Sequence, residues 1–293
     1  MRPDTPYFSL RLRALTLNQE YRWDLPQFPP PLPEVLAALA DTRLQPTLTS
    51  LELRRLDLSG ATEPLADALS AREHLRVLEF RRCTFSPATL LALAPVISRS
   101  ALTWLKMDGN AFVDEAGVMA LGRALRELHT LTSLSFCTKD LLCPTIAASC
   151  IAAVMCELEG HHSLRELDLS LLTFDDRVAT AAALAALLAA NAPALTILNL
   201  RGCGLREDGL GLLCDALPSN THLRELDISM NQADLDSLSV RLLLAVRANT
   251  GLRTLCTRWQ RYRRAVDDTS SKEVPEALLE VQRILSARRD AHS

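Results

Sequence analysis

One apolar phrase recurs along the chain: leucine, two residues, leucine, one residue, then a third apolar side chain. Leu48, Leu51 and Leu53 spell it first, followed by Leu75, Leu78 and Phe80 and by Leu102, Leu105 and Met107. Leu131, Leu134 and Phe136, then Leu164, Leu167 and Leu169, then Leu195, Leu198 and Leu200, then Leu223, Leu226 and Ile228 continue it. Leu252, Leu255 and Thr257 close the series, and Leu12, Leu15 and Leu17 form an earlier candidate. From Leu48 onward the phrases begin 27 to 33 residues apart. The apolar residues two apart, such as Leu226 and Ile228, predict a short strand with one buried side. Shortly after each strand stands a small or amide residue: Cys83, Asn110, Cys203 or Asn231. An inward polar side chain there can bond the backbone where the strand bends away. Apolar residues three and four apart follow, as in Val118, Leu121, Ala124, Leu125 and Leu128, or Leu210, Leu213, Cys214 and Leu217, and predict a helix. Each unit is therefore strand, turn, helix, and one unit cannot bury its apolar face without stacked neighbours.

This period and pattern are those of a leucine-rich repeat. The segments from Asn110 to Leu121 and from Cys203 to Leu213, in units of about 28 residues, resemble the ribonuclease-inhibitor-like class of that repeat. The resemblance runs from Leu48 to Trp259. It implies an α/β leucine-rich repeat solenoid: a right-handed β-α superhelix with a curved parallel sheet inside and helices outside. It further implies a protein that binds a protein partner on its concave face. The glycine, alanine and leucine character of the helices also resembles leucine-rich effectors that bacteria deliver into plant cells. That second resemblance implies action in a host cytoplasm, or otherwise the bacterial cytoplasm.

The ends depart from the repeat. Residues 1–47 are expected to form an N-terminal cap with a proline-rich connection, and a helix is expected to start near Pro33, where a first turn tolerates proline. Leu32 to Leu36 faintly resembles the opening of an F-box, but the distance to the first clear repeat is too short for that domain. Residues 48–259 hold about eight repeats, as counted by period. Residues 260–293 are expected to form a basic segment and a capping helix. Val274, Leu278, Val281, Ile284 and Leu285 mark that helix. Extra length between Cys137 and Gly160 predicts an insertion on the helical side.

Composition narrows the function. The 293 residues carry 32 basic and 35 acidic side chains, a net charge of -3, which argues against a broadly basic nucleic-acid binder. Fifty-nine leucines and only 10 glycines suit a repeat better than a sandwich of tight turns. No apolar stretch reaches the ~20 residues that span a bilayer, and no secretory signal is visible, so no membrane role and a reducing compartment are expected. Cys137, Cys143, Cys150 and Cys156 lack the tight pair of a zinc site, and buried thiols are the simpler reading. Cys256 is expected to be an exposed thiol. No phosphate loop, Gly-x-Ser-x-Gly or His-Glu-x-x-His occurs, so no enzyme, metal or cofactor is expected. An adaptor for ubiquitin ligation, recruiting its machinery through residues 20–47, and a cysteine-dependent enzyme stand as alternatives.

The residues that alternate with the buried leucines define the binding surface. One column runs Glu52, Glu79, Lys106, Ser135, Asp168, Asn199, Asp227, Cys256. The next runs Arg54, Arg81, Asp108, Cys137, Ser170, Arg201, Ser229, Arg258, and the one before runs Ser50, Val77, Trp104, Ser133, Glu166, Ile197, Glu225, Thr254. The early repeats gather Arg54, Arg55, Arg81 and Arg82 beside Trp104 and Lys106; the later ones gather Glu166, Asp168, Glu225 and Asp227. The candidate partner-binding residues are Trp104, Lys106, Asp108, Arg54, Arg81, Glu79, Asp168, Asp227 and Arg201. Trp104 is expected to have little to pack on, while the charges of Glu52, Arg54, Glu79 and Arg81 have cross-strand pairing as an alternative role.

Overall fold

The computed structural model describes residues 14–18, 32–41, 48–110, 115–137, 148–172, 174, 176–257 and 275–291. Strands and helices alternate: β1 (Ala14–Asn18), α1 (Leu32–Ala40), β2 (Ser50–Arg54), α2 (Thr62–Ser70), β3 (Val77–Arg81), α3 (Pro87–Ser98), β4 (Trp104–Lys106), α4 (Glu115–Glu127), β5 (Ser133–Ser135) and α5 (Ala148–Leu158). They continue as β6 (Glu166–Asp168), α6 (Arg177–Ala189), β7 (Ile197–Asn199), α7 (Glu207–Ala216), β8 (Glu225–Asp227), α8 (Leu235–Ala248), β9 (Thr254–Cys256) and α9 (Glu276–Asp290). All nine described strands lie in one parallel sheet in chain order. Each helix packs on the next along the other layer. The fold is thus an α/β leucine-rich repeat solenoid, a right-handed β-α superhelix with the curved sheet inside and the helices outside.

The leucine phrase builds the core as the alternation predicts. Leu51, Leu53, Leu78, Phe80, Leu105, Met107, Leu134, Phe136, Leu167, Leu169, Leu198, Leu200, Leu226 and Ile228 are all buried between sheet and helices. Burial of one such side chain stabilises by roughly 1.5–3 kcal/mol. From the helical side come Val118, Leu121, Ala124 and Leu125 on α4 and Leu210, Leu213 and Cys214 on α7, again as expected. Pairing is in register for every strand: Glu52 faces Glu79, Glu79 faces Lys106, Lys106 faces Ser135 and Asp168 faces Asn199.

Two ladders of side chains tie the repeats together behind the sheet. The first is the small or amide position. The Asn110 side chain accepts from the Cys83 amide at 2.7 Å and donates to the Phe80 carbonyl at 3.0 Å. Asn231 does the same for the Leu205 amide and the Leu200 carbonyl, while Cys83 and Cys203 thiols donate to the carbonyls of Leu53 and Leu169. The second ladder stands three residues before four of the phrases, where a helix ends. Asn220 donates to the Leu188 carbonyl at 2.9 Å and accepts from the amides of His222 and Leu223. Asn249 donates to the carbonyls of Leu217 and Asn220 and accepts from the amides of Gly251 and Leu252. His161 fills this position with a ring: Nδ1 accepts from the amides of Ser163 and Leu164, so the proton sits on Nε2, which donates to the Leu125 carbonyl. Burial holds its pKa below the ordinary histidine value. Arg72 reaches the Leu39 carbonyl from the same place. The helix-end carbonyls left open by one repeat are thereby closed by the next.

Every repeat with a described exit leaves its strand through a left-handed residue. Arg55, Arg82, Gly109, Leu171, Gly202 and Met230 all have φ between 53 and 68°. Only two of the six are glycine, and a side chain there costs about 1–2 kcal/mol. The N–H of Arg55 bonds the Arg81 carbonyl and that of Arg82 the Asp108 carbonyl, so each exit is locked to the neighbouring repeat.

The first and last described helices each pack on a neighbour. α1 buries Leu36 and Leu39 against α2, and α9 buries Leu278, Val281 and Leu285 against α8. Arg288 of α9 donates to the carbonyls of Val246, Asn249 and Leu252. β1, read from the sequence only as an earlier candidate phrase, pairs with β2 along its whole length. The proline-rich stretch before Leu32, residues 138–147 of the expected insertion and the basic-aromatic segment at 258–264 lie outside the described residues.

Candidate functional site

The inner face of the sheet presents the middle column between the buried leucines. In β2–β4 its charges form one connected group. Glu52 pairs with Arg54 on its own strand and with Arg81 Nε at 3.2 Å on the next. Arg81 Nε also lies 3.1 Å from Glu79, and Lys106 Nζ lies 3.2 Å from the other Glu79 oxygen. Lys106 Nζ in turn sits 4.0 Å from the centre of the Trp104 ring. The expectation that Trp104 has little to pack on is therefore corrected. Residues two apart on a strand share a face, so Lys106 lies against the ring, a contact that contributes about 0.5–1 kcal/mol. Trp104 nevertheless stays 38% exposed on the inner face.

Asp108 follows Lys106 just past the strand. Its carboxylate accepts from the Ser135 hydroxyl at 2.6 Å. Burial pushes its pKa above the ordinary carboxylate value, Asp168 adds to the rise, and Ser135, Arg81 and Lys106 oppose it.

In β6–β8 the outward acids behave differently. Asp168 accepts from the Ser170 amide at 2.9 Å and Asp227 from the Ser229 amide at 2.8 Å, and Asn199 accepts from the Arg201 amide at 3.1 Å. Each closes a turn at its own strand exit. Glu166 takes a hydrogen bond from Ser133 on the neighbouring strand, and Glu225 is exposed.

The third column needs a correction. Cys137, Ser170 and Ser229, read as outward with Arg54, Arg81, Asp108 and Arg201, are buried. β5, β6 and β8 have ended before these positions, so the alternation no longer applies. Arg201 remains exposed and Asp108 half-buried, and the Ser170 hydroxyl donates to the Cys137 sulfur at 3.2 Å. The structure thus gathers Arg54, Arg81, Glu79, Lys106, Trp104 and Asp108 into one group, with Asp168 near enough to act on Asp108, while Asp227 and Arg201 stand in later repeats.

The thiols divide in the same way. Burial raises Cys83 to about 11 and Cys214 to about 12, and it raises Cys203 as well. Cys150 is buried, Cys256 is exposed as expected, and Cys156 is exposed where a buried thiol was expected. Among the described residues no group of three or more His, Cys, Asp or Glu is placed to hold a metal ion. No described helix is long and apolar enough to cross a membrane. The helix-end ladder of Arg72, His161, Asn220 and Asn249 was missed in the sequence. Its signal was an asparagine at one offset in two repeats, hidden by a histidine and an arginine elsewhere.

No family model matches the chain. Over 221 residues, 73% of its length, it is 30% identical to NACHT, LRR and PYD domains-containing protein 5 of Bos taurus. The match spans 18% of that relative, under a fifth of its length. Among solved structures it is similar to leiomodin-1 actin-binding site 2, with a TM-score of 0.45 and 17% identity, covering 62% of this chain and 93% of that one. It is also similar to a Bacteroides fragilis protein, with a TM-score of 0.45 and 13% identity over 78% of this chain and 70% of the other.

Proposed function

We propose that the chain is a non-enzymatic recognition module that holds a protein partner on the inner face of its sheet. The observation that carries this reading is Trp104. It stands exposed on a face whose neighbouring charges are already paired with one another. A large aromatic side chain on a rigid strand gives contact area at low entropic cost, and such residues dominate binding energy at interfaces. Its cation–π partner Lys106 orients the ring before any partner arrives. Arg54, Glu79, Arg81 and Asp108 form the polar rim on one side, with Asp168, Arg201 and Asp227 in the later repeats. Mixed charge of this kind favours a protein surface over a phosphate polymer.

Affinity capture from eukaryotic cell lysate tests the reading, comparing wild type with Trp104→Ala. Circular dichroism first confirms that the variant folds. A protein retained by wild type and released by the variant is the expected result. Equal capture by both would move recognition to the helices or the caps.

A further inference from the structure

We propose that the protein partner meets Trp104 with an uncharged, apolar side chain, an inference that rests on the inner-face reading above. Trp104 belongs to a row that crosses the sheet. The register places Ser50 beside Val77, Val77 beside Trp104 and Trp104 beside Ser133. No member of this row carries a charge. All four reach the surface: Trp104 is exposed and the other three are half-buried. Neighbouring strands lie about 4.8 Å apart, so Val77 and Trp104 form one continuous apolar step with a serine on either side.

Polar groups border the row on both flanks, and they are already committed. On one flank, two residues further along each strand, stand Glu52, Glu79 and Lys106. With Arg54, Arg81 and Asp108 they make three acids and three bases, linked by ion pairs and by the attraction of Arg81 and Lys106 for Asp108. On the other flank, one residue earlier in each repeat, stand Arg76, Thr103 and Thr132. The Arg76 guanidinium turns back to the carbonyls of Glu73 at 3.1 Å and Leu75 at 3.3 Å. The Thr103 hydroxyl donates to the Arg76 carbonyl at 3.2 Å, and the Thr132 hydroxyl donates to the Thr103 carbonyl at 2.9 Å. Within the row, the Ser133 hydroxyl donates to Glu166 at 3.2 Å.

Such surroundings discriminate by chemistry. A charged or strongly polar group set down on Trp104 loses its water and finds these neighbours bonded to one another, so its lost hydration goes unreplaced. A second cation is also repelled by the Lys106 ammonium, which lies 4.0 Å from the ring centre. An aliphatic or aromatic side chain has no such loss. It gains by leaving water and packs against Val77 and Trp104 together. The paired groups around it then exclude water from the contact while adding little energy of their own, as the surroundings of interface anchors do.

Selection of displayed random peptides on the immobilised wild-type chain tests this, with Trp104→Ala and Val77→Ser as comparison chains. Serine already stands in this row at Ser50 and Ser133, so Val77→Ser suits the strand, and circular dichroism confirms that both variants fold. Recovered peptides are expected to be enriched in aliphatic and aromatic residues, with no enrichment of Asp, Glu, Lys or Arg. They are expected to bind Trp104→Ala at least about tenfold and Val77→Ser at least about threefold more weakly than wild type. Their affinity is expected to change less than about twofold between about 50 and 500 mM salt, since no charge is paired at the contact. Peptides that need Trp104 but also need a charged residue, with affinity that falls steeply in salt, would overturn the proposal while leaving the inner-face reading intact. Peptides that need Trp104 but ignore Val77 would do the same. An empty selection, or peptides that bind Trp104→Ala as tightly as wild type, would overturn both.

Discussion

The early repeats, β2–β4, and the later ones, β6–β8, are written in the same leucine phrase but spend their outward acids differently. In the early repeats Glu52 and Glu79 hold Arg54 and Arg81 on their own strands and also reach sideways to Arg81 and Lys106 on the next. In the later repeats Asp168 and Asp227 bend back to the amides of Ser170 and Ser229. The difference is one methylene. A glutamate is long enough to cross to the next strand, whereas an aspartate finds its own backbone two residues on. The early half is thus tied between strands by side chains, and the later half is tied within each turn. Only the first arrangement leaves a tryptophan and a cation stacked in the open.

This contrast is open to direct attack. Glu79→Ala removes the shared partner of Arg81 and Lys106, and the expected cost is about 2 kcal/mol in urea unfolding, since charged hydrogen bonds are lost from a half-buried site. Asp227→Glu lengthens a turn-closing side chain past its amide, with an expected cost of about 1 kcal/mol by the same measurement. If the order of these two is reversed, the early charges are surface decoration and the contrast fails. The third effect is smaller and depends on pH. The folded chain raises the Asp108 pKa above its ordinary value of 3.8, so folding favours the proton there and the ionised carboxylate opposes folding. Asp108→Asn is expected to raise Tm at neutral pH, with the gain fading as pH falls through the raised value and vanishing below 3.8. A gain that persists in acid would assign the effect to packing instead.

The repeat, its register and its buried columns were legible because a period of two sorts side chains cleanly while the strand lasts. Trp104 and Lys106 were placed on one face from that rule alone, although their mutual contact was not read. Past the strand ends the rule lapses, which is why Cys137, Ser170 and Ser229 were misread as surface residues. The left-handed exits were hidden because Arg55, Arg82, Leu171 and Met230 stand where glycine would have announced the turn. The helix-end ladder escaped for a related reason. Its chemistry needs only a polar side chain of suitable reach, so Arg72 and His161 fill a place that Asn220 and Asn249 fill elsewhere.

Arg288 gives that ladder a wider meaning. It donates to the carbonyls of Val246 and Asn249, the counterparts one repeat on of the Leu217 and Asn220 carbonyls that Asn249 satisfies. The arginine on α9 therefore does the work of the asparagine that another repeat would have brought. In a joiner's terms the socket is fixed and the peg is interchangeable: the same pair of backbone acceptors takes an amide from Asn249 in one repeat and a guanidinium from Arg288 in the next.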